Sequence, residues 1–170
     1  MLNTSDVDIR FCKFFDNRAS SQGGSIYLAD SIVDIEECVF EDNEAPSRGG
    51  AISISDCTVN LSGSEFRRNE STGGGSHGGA ITFSGDDVTI DNCIFENNEA
   101  TYGGAVNIES GTSASVTNSL FAVNTAGQYA GAIKFVNQFA IVVANCTFVR
   151  NTVTDYAGGI LFNSSVASVV

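Results

Sequence analysis

A chain of 170 residues is long enough for one domain with a sizeable core; 18 glycines ask for many tight turns, and a single proline argues against a disordered linker. A net charge of −12, with only 8 Lys and Arg, disfavours nucleic acid and anionic membranes as partners, because both attract basic surfaces. No stretch has the length of a membrane helix, and polar residues follow Met1 directly, so neither a membrane span nor a signal peptide is expected.

One unit recurs along the chain. The first copy is anchored by Phe14, Asn17 and Gly24, the second by Phe40, Asn43 and Gly50, and the third by Phe66, Asn69 and Gly79. The fourth carries Phe95, Asn98 and Gly104, the fifth Phe121, Asn124 and Gly131, the sixth Phe148, Asn151 and Gly158. Successive Phe lie 26, 26, 29, 26 and 27 residues apart, and an Asn follows each by three. The second copy shows the pattern fully, from Val33, Ile35, Cys38, Phe40 and Asn43 to Gly49-Gly50-Ala51-Ile52-Ser53-Ile54.

Apolar residues in each copy alternate with period two, which places them on strands. Val33 and Ile35 form one inward run, Cys38 and Phe40 a second, and Ile52 and Ile54 a third. Three short strands per unit and no helical period predict an all-β chain that turns three times per coil. A single coil cannot bury its inner face, so stacking must supply the partner. The expectation is a right-handed parallel β-helix of about six coils of about 26 residues, one domain over 1–170, rising about 4.8 Å per coil. Residues 164–170 read as the start of a seventh coil, which predicts a segment of a longer rod or a unit that stacks end to end.

The columns then become ladders. Phe is expected to stack on Phe in the bore, and Asn to bond the Asn of the next coil at the strand ends. The invariant second glycine of each pair is taken as the position of unusual backbone, because Ala130 and Ala157 replace the first in two copies. Most length variation falls between Asn and Gly, and the third copy inserts residues within 70–77 there.

The paired GGA[IV] and FxxN motifs resemble the polymorphic outer membrane protein repeat, first known from chlamydial surface proteins, within the pectin-lyase-like β-helix superfamily. Gly49-Gly50-Ala51-Ile52, Gly78-Gly79-Ala80-Ile81 and Gly103-Gly104-Ala105-Val106 carry the first motif; Phe40-Glu41-Asp42-Asn43 and Phe95-Glu96-Asn97-Asn98 carry the second. The resemblance spans Val7 to Phe162 and implies an extracellular or cell-surface rod used in adhesion or display.

Four of the five cysteines, Cys12, Cys38, Cys93 and Cys146, share one small inward column with Ser64 and Ser119, which reads as buried free thiols. Cys12 and Cys38 on adjacent coils are nevertheless within disulfide reach, about 4.8 Å apart by strand spacing. His77 is the only histidine and no CxxC occurs, so no metal site or cofactor is expected. Asp30, Asp56, Asp86 and Asp87 fall in turns and read as a solvated acidic face rather than a calcium site.

Arg67 and Arg68 stand one coil above Glu41 and Asp42, as cross-coil ion pairs would. Of five Asn-x-Ser/Thr sequons, at Asn3, Asn60, Asn69, Asn145 and Asn163, Asn60 points outward between Val59 and Leu61 and is the glycosylation candidate, whereas Asn69 is expected to be inaccessible. Tyr102, Tyr129 and Tyr156 precede the glycine slots of copies four to six, either as a binding row or as braces for the turns.

Acidic residues do not gather with a base as glycan cleavage would need, so no enzyme is expected. The function read from the sequence is therefore a structural or adhesive rod. Its partners would be a second copy end to end, neighbouring coils of a longer chain, or surface glycans. The alternative is a carbohydrate-active or carbohydrate-binding β-helix.

Overall fold

The computed structural model describes residues 5–85, 87–163 and, for the backbone alone, 167–169. These residues form a parallel solenoid of four sheets and no helix. A first sheet runs from Ser5–Arg10 through Ser31–Glu36, Thr58–Ser62, Asp87–Asp91, Ser113–Thr117 and Ala140–Ala144 to Ala167–Val169. The second contains the Phe column in strands such as Val39–Glu41 and Ile94–Glu96, and the fourth contains the Ile52–Ser55, Ile81–Ser84, Val106–Glu109 and Ile133–Val136 strands. Pairing is in register from coil to coil, Phe40 opposite Phe66 and Ile54 opposite Phe83, so each repeat is one coil. The seventh strand of the first sheet falls in the stretch expected to begin a seventh coil.

Between the second and fourth sheets the structure adds a short third one, built from Glu44–Ala45, Glu70–Ser71, Glu99–Tyr102, Thr125–Tyr129 and Thr152–Val153. Segments of two to five residues hold too few apolar positions to show a period, which is why the sequence suggests three strands per coil. The coil turns at four corners. Each corner is made by one residue in the left-handed region, such as Glu37, Asp42, Gly49 and Asp56 in the second coil.

The interior follows the predicted columns. Phe14, Phe40, Phe66, Phe95, Phe121 and Phe148 stack with centroids 4.7 to 5.0 Å apart and nearly parallel rings. In the Asn column every hydrogen-bonding group of a central side chain is used. Asn69 Nδ2 donates to Phe40 O and to Asn98 Oδ1, both at 3.0 Å, while its Oδ1 accepts from Asn43 N at 3.1 Å and Asn43 Nδ2 at 2.9 Å. A buried amide satisfied four times over adds specificity without an orphaned group. The small column behaves similarly: Cys38 N donates to Ser64 Oγ and Cys93 N to Ser119 Oγ, both at 3.0 Å. Burial pushes the Cys93 thiol up to about 12, so it stays protonated.

The glycine pair corrects one expectation. The left-handed residue is the first of the pair, with φ of +57° at Gly49 and +62° at Gly103, and Ala130 and Ala157 adopt the same conformation at +57° and +55°. The invariant second glycine has ordinary φ and is needed for space. A Cβ on Gly79 would lie 2.1 Å from Gly104 O and 2.5 Å from Glu99 N. A left-handed alanine is strained but feasible, whereas nothing replaces missing room between two backbones; hence the second slot is the strict one.

Candidate functional site

The most concentrated polar chemistry lies on the outer face of the fourth sheet. In a parallel strand, alternate residues face outward, so Ser53, Thr82, Asn107 and Lys134 form an outward column, in register along the strands Ile52–Ser55, Ile81–Ser84, Val106–Glu109 and Ile133–Val136. These four side chains are nevertheless buried. What covers them is the residue preceding each glycine pair. Gln22, Arg48, His77, Tyr102, Tyr129 and Tyr156 form one continuous ladder of bridges over the sheet.

Tyr102, Tyr129 and Tyr156 thus belong to one row, as the sequence suggests, with stacked rings 5.3 and 5.4 Å apart. His77 meets the Tyr102 ring edge-on at 5.0 Å, and Lys134 Nζ lies over the Tyr102 face at 4.7 Å and near Tyr129 at 6.0 Å.

At the centre stands Glu109. Its Oε1 is 2.8 Å from His77 Nδ1, out of line with a full hydrogen bond, and its Oε2 is 3.3 Å from Arg48 Nη1, which reaches across from two coils away. Burial would raise the Glu109 pKa. Interactions with the His77 and Asn107 side chains, and the charges of His77 and Arg48, outweigh it and hold the carboxyl near 2. Burial also lowers the pKa of Lys134, against the pull of the Glu109 charge. Arg48, His77, Asn107, Glu109 and Lys134 come together without having been singled out from the sequence. Arg48 and His77 could have been found by their place one residue before the glycine pair, which the dissimilar residue types conceal.

Other sites are simpler. Cys12, Cys38, Cys93 and Cys146 are free thiols, and Cys12 N donates to Cys38 Sγ at 3.4 Å. Asn60 is exposed and donates to Asp34 Oδ1 at 2.9 Å, whereas Asn69 is fully buried. Arg68 bonds Asp42 at 2.9 Å and also Glu41, the cross-coil pairing that the sequence suggests. Arg68 and Asp42 line an open groove of about 480 Å³ with Asp16, Arg18, Glu44 and Glu70. Burial raises the Glu70 pKa, helped by the stacked Glu99 and Glu44. Among the described residues no group of three or more His, Cys, Asp and Glu could hold a metal ion; Asn3 and Asp86 lie outside the described residues.

Parallel strands stacked in register, with every coil repeating one interior, define a parallel β-solenoid. The family model described as "Right handed beta helix region" matches residues 1–170, and the chain belongs to that family. No curated protein and no solved structure matches the chain.

Proposed function

We propose that the chain is a non-catalytic segment of an extracellular or cell-surface rod of the polymorphic outer membrane protein repeat type, serving adhesion or display. The observation that carries this reading is the contrast between faces. The Phe and Asn ladders run unbroken through six coils, whereas among the described residues the outer face repeats no reactive set. Glu109, the best-enclosed carboxylate of the outer cluster, is held ionised by His77 and Arg48 and makes a weak general base. Among the described residues no helix is long and apolar enough to cross a membrane. The rod's partners are its own neighbouring coils or a second copy end to end.

Two measurements test this. Impermeant biotin on intact source cells should label the protein, and incubation with acidic and neutral polysaccharides should release no new chain ends. Labelling only after lysis would remove the surface role; turnover that an Arg48 or Glu109 substitution abolishes would make it an enzyme. A second reading, glycan binding, rests on the stacked tyrosine row, whose end member Tyr156 is 61% exposed. Affinity electrophoresis through glycan-loaded gels separates the two: retardation of the wild type that Tyr129→Ala and Tyr156→Ala remove favours binding.

A further inference from the structure

Two adjacent side chains of the outer cluster are buried without the partners that burial requires. Asn107 and Lys134 are register partners on the neighbouring strands Val106–Glu109 and Ile133–Val136, and both project to the outer face beneath the tyrosine row. Asn107 is 0% exposed, and neither its Nδ2 nor its Oδ1 has a well-formed hydrogen bond. Lys134 is 8% exposed, and among the described residues no carboxylate lies within 4.0 Å of its Nζ. Its ammonium rests on the Tyr102 face, so the chain leans towards the coil that holds Asn107. A buried ammonium held only by tyrosine faces, beside a buried amide whose contact with Glu109 falls short of a well-formed hydrogen bond, is unfavourable.

We propose that Lys134 and Asn107 are joined by an intramolecular amide bond between Nζ of the lysine and Cγ of the asparagine. Lys134 reacts as the neutral amine, its ammonium having first given a proton to solvent, and the Glu109 carboxylate, beside Asn107 on the same face of the same strand, serves only to relay protons in the attack. The free amine attacks Cγ, and the new C–N bond forms as the Cγ–Nδ2 bond breaks. Nδ2 receives one proton from the attacking nitrogen through the Glu109 carboxylate and leaves as ammonia, which takes up the proton that Lys134 gave to solvent. An ammonium and a primary amide thus become a secondary amide and an ammonium ion, with no oxidant, reductant or metal in the balance.

Burial favours the neutral amine that the attack needs, and register pairing sets the two side chains on neighbouring strands of one face. The cover of Tyr102 and Tyr129 keeps out the water that would hydrolyse the intermediate instead. The product removes a buried charge and ties the fourth coil to the fifth.

Intact mass spectrometry of the purified, folded chain tests the bond. The expected mass is that of the sequence less one ammonia, and tandem spectra of a tryptic digest should show a branched peptide joining Asn107 to Lys134. Lys134→Met, which keeps the covering side chain, and Asn107→Ala should each run at their full sequence mass. Glu109→Gln should slow the linkage at least tenfold while the β-sheet circular dichroism is kept. A wild-type chain at full sequence mass after prolonged incubation overturns the proposal, as does an ammonia loss that persists in Lys134→Met. Linkage of Glu109→Gln at the wild-type rate overturns the role given to Glu109. If Lys134→Met fails to fold, the branched wild-type peptide, or its absence, still decides.

Discussion

Alanine at the two neighbouring glycines of the fourth coil should have unequal effects. At Gly104 an added Cβ would stand 2.2 Å from Gly131 O, 2.6 Å from Thr125 O and 2.7 Å from Thr125 C, all backbone of the next coil. No flexible side-chain end can give way, so the coils must part. Overpacking costs about 1–3 kcal/mol. Parting also weakens bonds such as Gly104 N to Ala130 O at 2.9 Å and Ala105 N to Ala132 O at 3.0 Å, worth about 1 kcal/mol each. The total for Gly104→Ala is about 4 kcal/mol. At Gly103, with φ +62°, the left-handed alanine costs about 1–2 kcal/mol, and about 0.4–1 kcal/mol returns because the unfolded chain is less free. Its nearest clash, Val106 O at 2.4 Å, is within its own coil, and Ala130 and Ala157 show that the turn accommodates the methyl. A net loss of about 1 kcal/mol follows. Thermal unfolding followed by circular dichroism should therefore drop by roughly 8–16 °C for Gly104→Ala and roughly 2–4 °C for Gly103→Ala. Equal losses, or a larger one at Gly103, would refute the separation of the two slots into space and dihedral.

Other substitutions probe other columns. Val123 is a β-branched residue at φ +58°, 41% exposed, at a corner where the neighbouring coil has Asn97; Val123→Asn should raise stability by about 1 kcal/mol in urea titration. Asn69→Ala strips partners from Asn43 N, Asn43 Nδ2, Phe40 O and Asn98 Oδ1, so it should cost about 4 kcal/mol by the same titration. The Glu109 pKa is depressed from 4.5 to about 2, so its contribution is complete above about pH 4.5 and is lost as pH falls towards 2. The acid limb of a stability–pH curve should accordingly be shallower in Glu109→Gln, whatever the variant's absolute stability. A disulfide-based thiol reagent should modify exposed Cys12 readily and Cys93 only as the chain unfolds; fast labelling of Cys93 in the folded chain would contradict its burial.

The interior was legible because each of its columns repeats one chemistry. Phe, Asn and Gly recur at one spacing, and their roles follow from the need to fill a bore, satisfy buried amides and let two backbones meet. What escaped has no such recurrence. The third sheet is too short for alternation to register. In the glycine pair, strictness suggests a dihedral need, whereas the strict demand is contact with the next coil. The outer cluster is built from five unlike residues, Arg48, His77, Asn107, Glu109 and Lys134, drawn from four coils. Only the register brings them together, and half of the covering row was visible because it happens to be tyrosine.

The Asn ladder has a mechanical consequence. Each central amide bonds the coil below and the coil above, so tension along the rod axis loads the inter-coil seams in series. Pulled end to end, the molecule should yield one coil at a time, each release freeing 26 residues of slack, roughly 90 Å when drawn straight. A force–extension trace would then be a sawtooth of nearly equal teeth. An amide between Asn107 and Lys134 would shorten one tooth, because the chain between them could not be drawn out, and the rod would carry a stop in its middle.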